Sequence, residues 1–243
     1  MAAHPYRAQA KAELRLSMTQ YESLLVTFGI PLLFLFAFTS IKVLPLPKGS
    51  SAVQFLVPGT IALAVMATGM VQLGIATGVE RSYGVLKRLG TTPLSRQALL
   101  GAKITAIASI ELIQVALLGG VGVGLGWHPS GDAIEFVAAV LLATAAFTGI
   151  GLIMAGRLKS EAVIGSANGL FLILLVLGGM IFPISSLPSP IADLAKALPA
   201  YASAHILFST SAHQPGSLTG SWIVLVIWAI GAPLLAARLF RFE

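Results

Sequence analysis

Among the nine acidic residues of this 243-residue chain, Glu111 is the one placed well inside a long apolar run. It lies eight residues beyond Lys103, or ~12 Å along a helix axis. A carboxylate at that depth is costly unless it faces protein or water, which makes it a candidate for chemistry. It can bind a cationic substrate or relay a proton; it can equally hydrogen-bond Gln114 or a polar group on a neighbouring helix such as Gln72. The structural role is the favoured one. Glu22 stands at the start of an apolar run, where snorkelling and the helix dipole make an acid unremarkable. The rest of the chemical inventory is thin. His4, His128, His205 and His213 are scattered, with none spaced i, i+4 for a metal. The absence of cysteine removes disulfides, thiolate ligands and thiol nucleophiles. No Ser-His-Asp order and no carboxylate pair at catalytic spacing is visible, so the residues offer no enzyme site.

A second group of polar residues clusters at 80–96, Glu-Arg-Ser-Tyr-Gly-Val-Leu-Lys-Arg-Leu-Gly-Thr-Thr-Pro-Leu-Ser-Arg. On a helix Val79, Tyr83, Leu86 and Gly90 share one row, with Glu80, Lys87 and Arg88 off it. Gly90 and Pro93 then end the helix. Such a segment is too polar to cross a membrane. A short amphipathic helix there suits a groove on a soluble partner, and a hairpin whose charges only fix topology accounts for the same residues.

A third stretch, 178–205, carries Gly178-Gly179, Phe182-Pro183, Leu187-Pro188, Pro190 and Leu198-Pro199. Its prolines interrupt apolar pieces too short to span a bilayer. Broken backbone at membrane depth is tolerated only where protein shields it or a cavity accepts it. Short helices dipping in from one face explain the pattern, as does a hydrophobic loop resting on the lipid surface.

The elements that must hold these residues follow from composition. Apolar residues are 56% of the chain and charged ones 10%, with a mean hydropathy of +0.91; soluble domains are about 25% charged. So little charge cannot clothe a water-soluble surface of this size. Six runs reach the ~20 residues a spanning helix needs: 24–41, 53–79, 104–126, 133–156, 162–182 and 218–237. Their continuous apolar character is that of helices, since barrel strands alternate over ~10 residues. The fold class is an all-α polytopic membrane protein with six transmembrane helices. The first run begins too late and runs too long for a cleaved signal peptide.

On this topology the net charge of +6 resolves into an orientation. Arg7, Lys11, Arg15, Arg81, Lys87, Arg88, Arg96, Lys103, Arg157, Lys159, Arg238 and Arg241 fall on the side of the termini, and Lys42, Lys48 and Lys196 on the other. Twelve against three places both termini in the cytoplasm and removes the reason to invoke nucleic acid. Arg7, Lys11 and Arg15 recur every fourth residue beside Ala10, Leu14 and Met18, the pattern of a helix in the headgroup plane over 5–20, in contact with membrane lipids; a solvated basic tail that serves only orientation accounts for the same residues. Trp127, Trp222 and Tyr201 sit near outer boundaries, as an aromatic belt requires. Pro31, Pro58 and Pro233 lie inside spans and mark kinks. Gly120/Gly124, Gly122/Gly126, Gly74/Gly78 and Gly165/Gly169 have the small-xxx-small spacing that permits close helix approach.

The chain resembles the permease subunits of ABC-2-type ATP-binding-cassette transporters. The resemblance rests on Glu80-Arg81, Gly84, Leu86, Leu89, Thr92-Pro93-Leu94-Ser95-Arg96, Gly101 and Lys103, and on the outer Gly-Gly, Phe-Pro and two Leu-Pro pairs. Six spans, a basic amphipathic N-terminal helix and the length extend it over the whole chain. Many relatives carry an acid after the Leu86 position, whereas this chain has Lys87-Arg88, and its Gly-x-Leu-Lys-Arg-Leu form resembles permeases grouped with daunorubicin-type drug exporters. The family's outer signature often has Thr-His soon after its last Leu-Pro; here Tyr201 intervenes and His205 comes later. The resemblance implies a coupling helix over 80–90, with Glu80, Arg81, Tyr83, Gly84, Leu86, Lys87 and Arg88 meeting a separate nucleotide-binding ATPase subunit. It implies outer re-entrant helices over 183–205 forming a gate with Phe182, Pro183, Leu187, Pro188, Leu198 and Pro199. It further implies a second permease copy, usually a homodimer, with the pathway between first, second and fifth spans, in a bacterial plasma membrane. ATP and Mg would be held by the partner, with no cofactor on this chain. In agreement, no Gly-x-x-x-x-Gly-Lys-Ser/Thr occurs, and Gly101-Ala-Lys103 lacks the upstream glycine and the hydroxyl.

The function so implied is ATP-driven export of a hydrophobic or amphipathic substrate: a drug, a lipid or a lipid-linked glycan. The competing readings are a secondary transporter using Glu111 as proton or cation site, and an intramembrane enzyme of lipid metabolism, which the lack of polar catalytic clusters disfavours.

Overall fold

The fold is taken from a computed structural model that describes residues 3–40, 52–92, 94–180, 184, 187–212 and 217–240. Phe182, Pro183, Pro93, Lys42, Lys48 and Arg241 lie outside them. Among the described residues there is no strand, and six helices are long and apolar enough to cross a membrane. The protein is an all-α multi-pass membrane protein.

The chain opens with α1 (Ala3–Thr19) and turns at Gln20 into span 1, built from α2 (Tyr21–Leu24), a π-helical turn (Leu25–Gly29) and α3 (Ile30–Ser40). Span 2 repeats the device: α4 (Ala52–Met66), a second π turn (Ala67–Gln72) and α5 (Leu73–Ser82). After α6 (Val85–Leu89), the Ser95 side chain accepts from the Ala98 amide 3.2 Å away and caps α7 (Arg96–Gly124), span 3. That cap starts span 3 eight residues before its apolar run at 104, since an exposed cytoplasmic turn needs capping and not hydropathy. Asp132 likewise caps α8 (Ala133–Arg157), span 4. Span 5 is α9 (Ser160–Leu177), shorter than the run to 182 because the helix stops at Gly178. Two helices, α10 (Ser189–Ala195) and α11 (Pro199–Ala212), precede α12 (Thr219–Leu239), span 6.

Span 2 is the axis of the bundle: 78% of its most apolar window is buried, against 17% for spans 1 and 5. Its Val57, Ile61, Met66 and Met70 pack with Phe147 of α8 and Leu207 of α11 in the main core. A bilayer gives apolar side chains no reason to leave lipid, so this packing rests on close fit. Glycines supply the fit. A methyl group on Gly149 would sit 2.6 Å from the Ala232 and Pro233 backbone of α12, and one on Gly151 would sit 2.6 Å from the Met70 carbonyl. The sequence pairs divide accordingly. Gly74 and Gly78 pack against Gly151 and Val163, and Gly122 packs against Val57. Gly120, Gly124, Gly165 and Gly169 face open space. Spacing alone does not separate the two groups, because it fixes a helix face without saying what lies opposite.

The 80–90 segment departs from a single helix. Glu80, Arg81 and Ser82 are the last turn of α5, and Gly84 (φ +71°) breaks the helix before α6. Tyr83 and Leu86 therefore do not share a face: Tyr83 is 77% exposed and Leu86 is fully buried.

Candidate functional site

Leu86 anchors α6 in a second core at the base of the bundle, with Leu73, Leu99, Leu100, Leu152 and Phe240. That anchor turns Tyr83, Val85, Lys87 and Arg88 outward, where all four are exposed. They form a small cationic face with an aromatic rim, carried by a helix whose buried leucine belongs to a core built by four of the six spans.

Glu80 and Arg81, grouped with these residues by sequence, point the other way. Lys103 of α7 is 1% exposed, and its Nζ lies 2.7 Å from Glu80 Oε2 and 3.0 Å from Glu13 Oε2 of α1. One buried ammonium thus joins α1, span 2 and span 3. Arg81 donates from Nη1 to the carbonyls of Ala155 (2.9 Å) and Leu158 (3.3 Å) at the end of span 4. Tyr6 of α1 shares a 2.6 Å hydrogen bond with Thr105 of α7. Sequence reasoning missed this junction. Its one signal was Glu13, the sole acid in the first twenty residues, set into an otherwise basic helix.

Glu111 is fully buried. Thr144 of α8 donates to its Oε2, while Oε1, beside Gly69 in the second π turn, has no hydrogen-bond partner. The residue bridges spans 2, 3 and 4. Neither Gln114 nor Gln72 is its partner; both are engaged with span 1. Gln114 donates from Nε2 to the Thr27 carbonyl at 2.5 Å. That carbonyl lies four residues before Pro31, which has no N–H to give it, so a side chain from another span satisfies an acceptor that proline freed. Thr27 Oγ1 also lies 2.7 Å from Gln72 Oε1, and Gln72 donates to Ser23 Oγ at 2.5 Å.

This polar string borders a groove of about 580 Å³ between spans 1, 2 and 5, within the ~300–1,000 Å³ of ligand clefts. Its apolar walls include Val26, Ile30, Leu63, Val71 and Phe171; Ser23, Thr27, Thr68, Gln72, Gln114 and Asn168 are polar points, and Glu22 of α2, unremarkable by sequence as an acid at a helix start, lines it too. Both π turns line it, and such turns are frequent at functional sites.

Of the outer residues, Leu187 precedes α10, Pro188 is its N-cap, and Leu198 precedes α11, which begins at Pro199. His205 of α11 stacks on Tyr201 (5.3 Å between centroids) and bonds Ser221 of α12 at 2.9 Å. Burial lowers its pKa from the ordinary imidazole value. Among the described residues no group of three His, Asp or Glu side chains gathers to hold a metal.

Six helices able to cross the bilayer, with a groove along one side of the bundle, define the class: an all-α multi-pass membrane protein. The chain belongs to the ABC-2 type transporter family, whose model matches residues 6–211. It is 25% identical over 201 residues to a Bacillus subtilis (strain 168) protein named "Putative transport permease YvfS", across 79% of this chain and 80% of that one.

Proposed function

We propose that this chain is the membrane subunit of an ATP-binding-cassette exporter, resident in a bacterial plasma membrane with both termini cytoplasmic. A separate ATPase subunit, which carries ATP and Mg, docks on the face formed by Tyr83, Val85, Lys87 and Arg88. A second copy of the chain completes the pathway by closing the groove between spans 1, 2 and 5, whose mainly apolar walls, with polar side chains and Glu22 among them, suit a hydrophobic or amphipathic cargo. The outer helices α10 and α11, with Leu187, Pro188, Leu198 and Pro199, gate its exit.

The observation that supports this reading best is the mounting of α6. Its one buried leucine is set among residues of spans 2, 3, 4 and 6, so a push on the exposed face reaches the bundle as a rigid displacement. Glu80 and Arg81 transmit that push inward and do not touch the partner. Reversing Lys87 and Arg88 together to glutamate should abolish co-purification of the ATPase and substrate-stimulated hydrolysis, with membrane insertion and thermal stability unchanged. If stimulated hydrolysis and export survive the double reversal, the docking assignment is wrong.

A further inference from the structure

Spans 4 and 6 border a second groove, of about 470 Å³, which shares no lining residue with the first. One wall is Ile153 of α8; Ile227, Gly231, Leu234 and Leu235 of α12 form the other, and Arg238 stands at one end. The notch exists because Gly231 has no side chain: a methyl group built there meets nothing within 4 Å. At the opposite end Trp228, which also lines the groove, is held by its Nε1, which donates to the Ala197 carbonyl at 3.0 Å.

The groove is apolar along its length and cationic at one end. Arg238 lies in the last turn of α12 and Arg157 in the last turn of α8. These two helix ends touch, since a methyl group on Gly156 would lie 2.8 Å from the Phe240 ring. Both guanidiniums are exposed, and among the described residues neither makes an ion pair. No acidic residue lines the groove. The slot ends at Arg238, and Arg157, one helical turn beyond Ile153, continues the same face of α8, so the charge there is one-sided. The slot takes an acyl chain along Ile153, Gly231 and Leu235 and an anion at the mouth.

We propose that the groove between spans 4 and 6 binds an anionic phospholipid of the surrounding bilayer, its phosphate held between Arg157 and Arg238 and one acyl chain lying over Gly231. Both helices end on the side that carries the excess of cations, so the lipid belongs to the leaflet at that face. Guanidinium forks hold phosphate oxygens in a bidentate way, and the greasy stem of each arginine continues the wall of the slot. The site is independent of the transport groove, which borders span 1 and contains neither arginine.

The test is native mass spectrometry of the purified full chain, transferred from micelles holding phosphatidylglycerol or phosphatidylcholine with identical acyl chains. Wild type should retain one tightly held phosphatidylglycerol with a roughly thirty-fold preference over phosphatidylcholine, the scale for two basic side chains at an anionic membrane surface. Arg157→Gln/Arg238→Gln should bring the preference to parity. Gly231→Phe, whose first side-chain carbon meets nothing within 4 Å and which leaves both charges, should remove the tight site. Arg7→Gln/Lys11→Gln, away from the groove, should leave the preference intact. Unchanged circular dichroism certifies that each variant is folded. The proposal is overturned if wild type shows no preference, if the preference survives either groove variant, or if the Arg7/Lys11 variant loses it, since the lipid would then sit on the general basic collar.

Discussion

Lys103 shows how far single residues could be read. Sequence placed it on the cytoplasmic side as one topology cation among twelve, yet it is the buried link between α1, span 2 and span 3. Removing one member of a buried ion cluster leaves the others charged and unpaired, at a cost of ~3–5 kcal/mol. Lys103→Met should therefore lower the unfolding midpoint in detergent sharply. Lys103→Met/Glu13→Gln/Glu80→Gln, which removes the stranded charges, should recover most of the loss; a midpoint unmoved by Lys103→Met would mean that the cluster holds nothing together. Glu111 was legible as a buried acid because depth along a span follows from counting residues. Its bond to Thr144 was not, since the partner lies thirty-three positions away on another span and neither chain spacing nor hydropathy ranks the polar residues of neighbouring helices. Thr27, Gln72 and Gln114 were hidden for the same reason. Only Pro31 hinted that a carbonyl nearby would need a donor.

At the scale of elements, the spans were legible wherever lipid sets the rule, and their ends were not. Six apolar runs gave six helices, but caps at Ser95 and Asp132, the stop at Gly178 and the two π turns are set by local hydrogen bonds that hydropathy ignores. The break at Gly84 matters most for function. An unbroken helix would have carried Leu86 and Tyr83 on one side, so that burying the anchor would have buried the proposed docking face too. A left-handed residue at position 84 lets the chain bury Leu86 and present Tyr83, Lys87 and Arg88. Gly84→Ala should cost about 1–2 kcal/mol, purely conformational, because nothing lies within 4 Å of the added methyl. Its larger effect should be on coupling: the chain inserts and folds, but substrate-stimulated ATPase activity falls several-fold as α6 loses its angle to α5. Stimulation equal to wild type would show that the break serves only to end span 2.

For the whole molecule, charge and packing divide the surface into faces with separate tasks. Among the described residues, all cations but Lys196 gather at one end, around α1, the end of α5, α6, the start of α7 and the ends of α8 and α12. The opposite end, around α10 and α11, has Lys196, whose Nζ is paired 2.8 Å from Asp193 and so contributes little net charge. Such an imbalance fixes orientation because translocating a basic loop is disfavoured. Orientation in turn decides whether the α6 face can meet a cytoplasmic ATPase at all, so every functional assignment above depends on it. The absence of cysteine makes this directly testable, since any cysteine introduced is the sole thiol. Lys159, between spans 4 and 5, and Asp193 on α10 are both exposed, and neither lies in the cores or grooves described. In intact spheroplasts a membrane-impermeant maleimide should label the Asp193→Cys protein and spare the Lys159→Cys protein until the membrane is opened. The reverse pattern would turn the molecule over, place the cationic α6 face outside the cell, and remove the docking of an ATP-hydrolysing subunit together with the inner-leaflet assignment of the lipid groove.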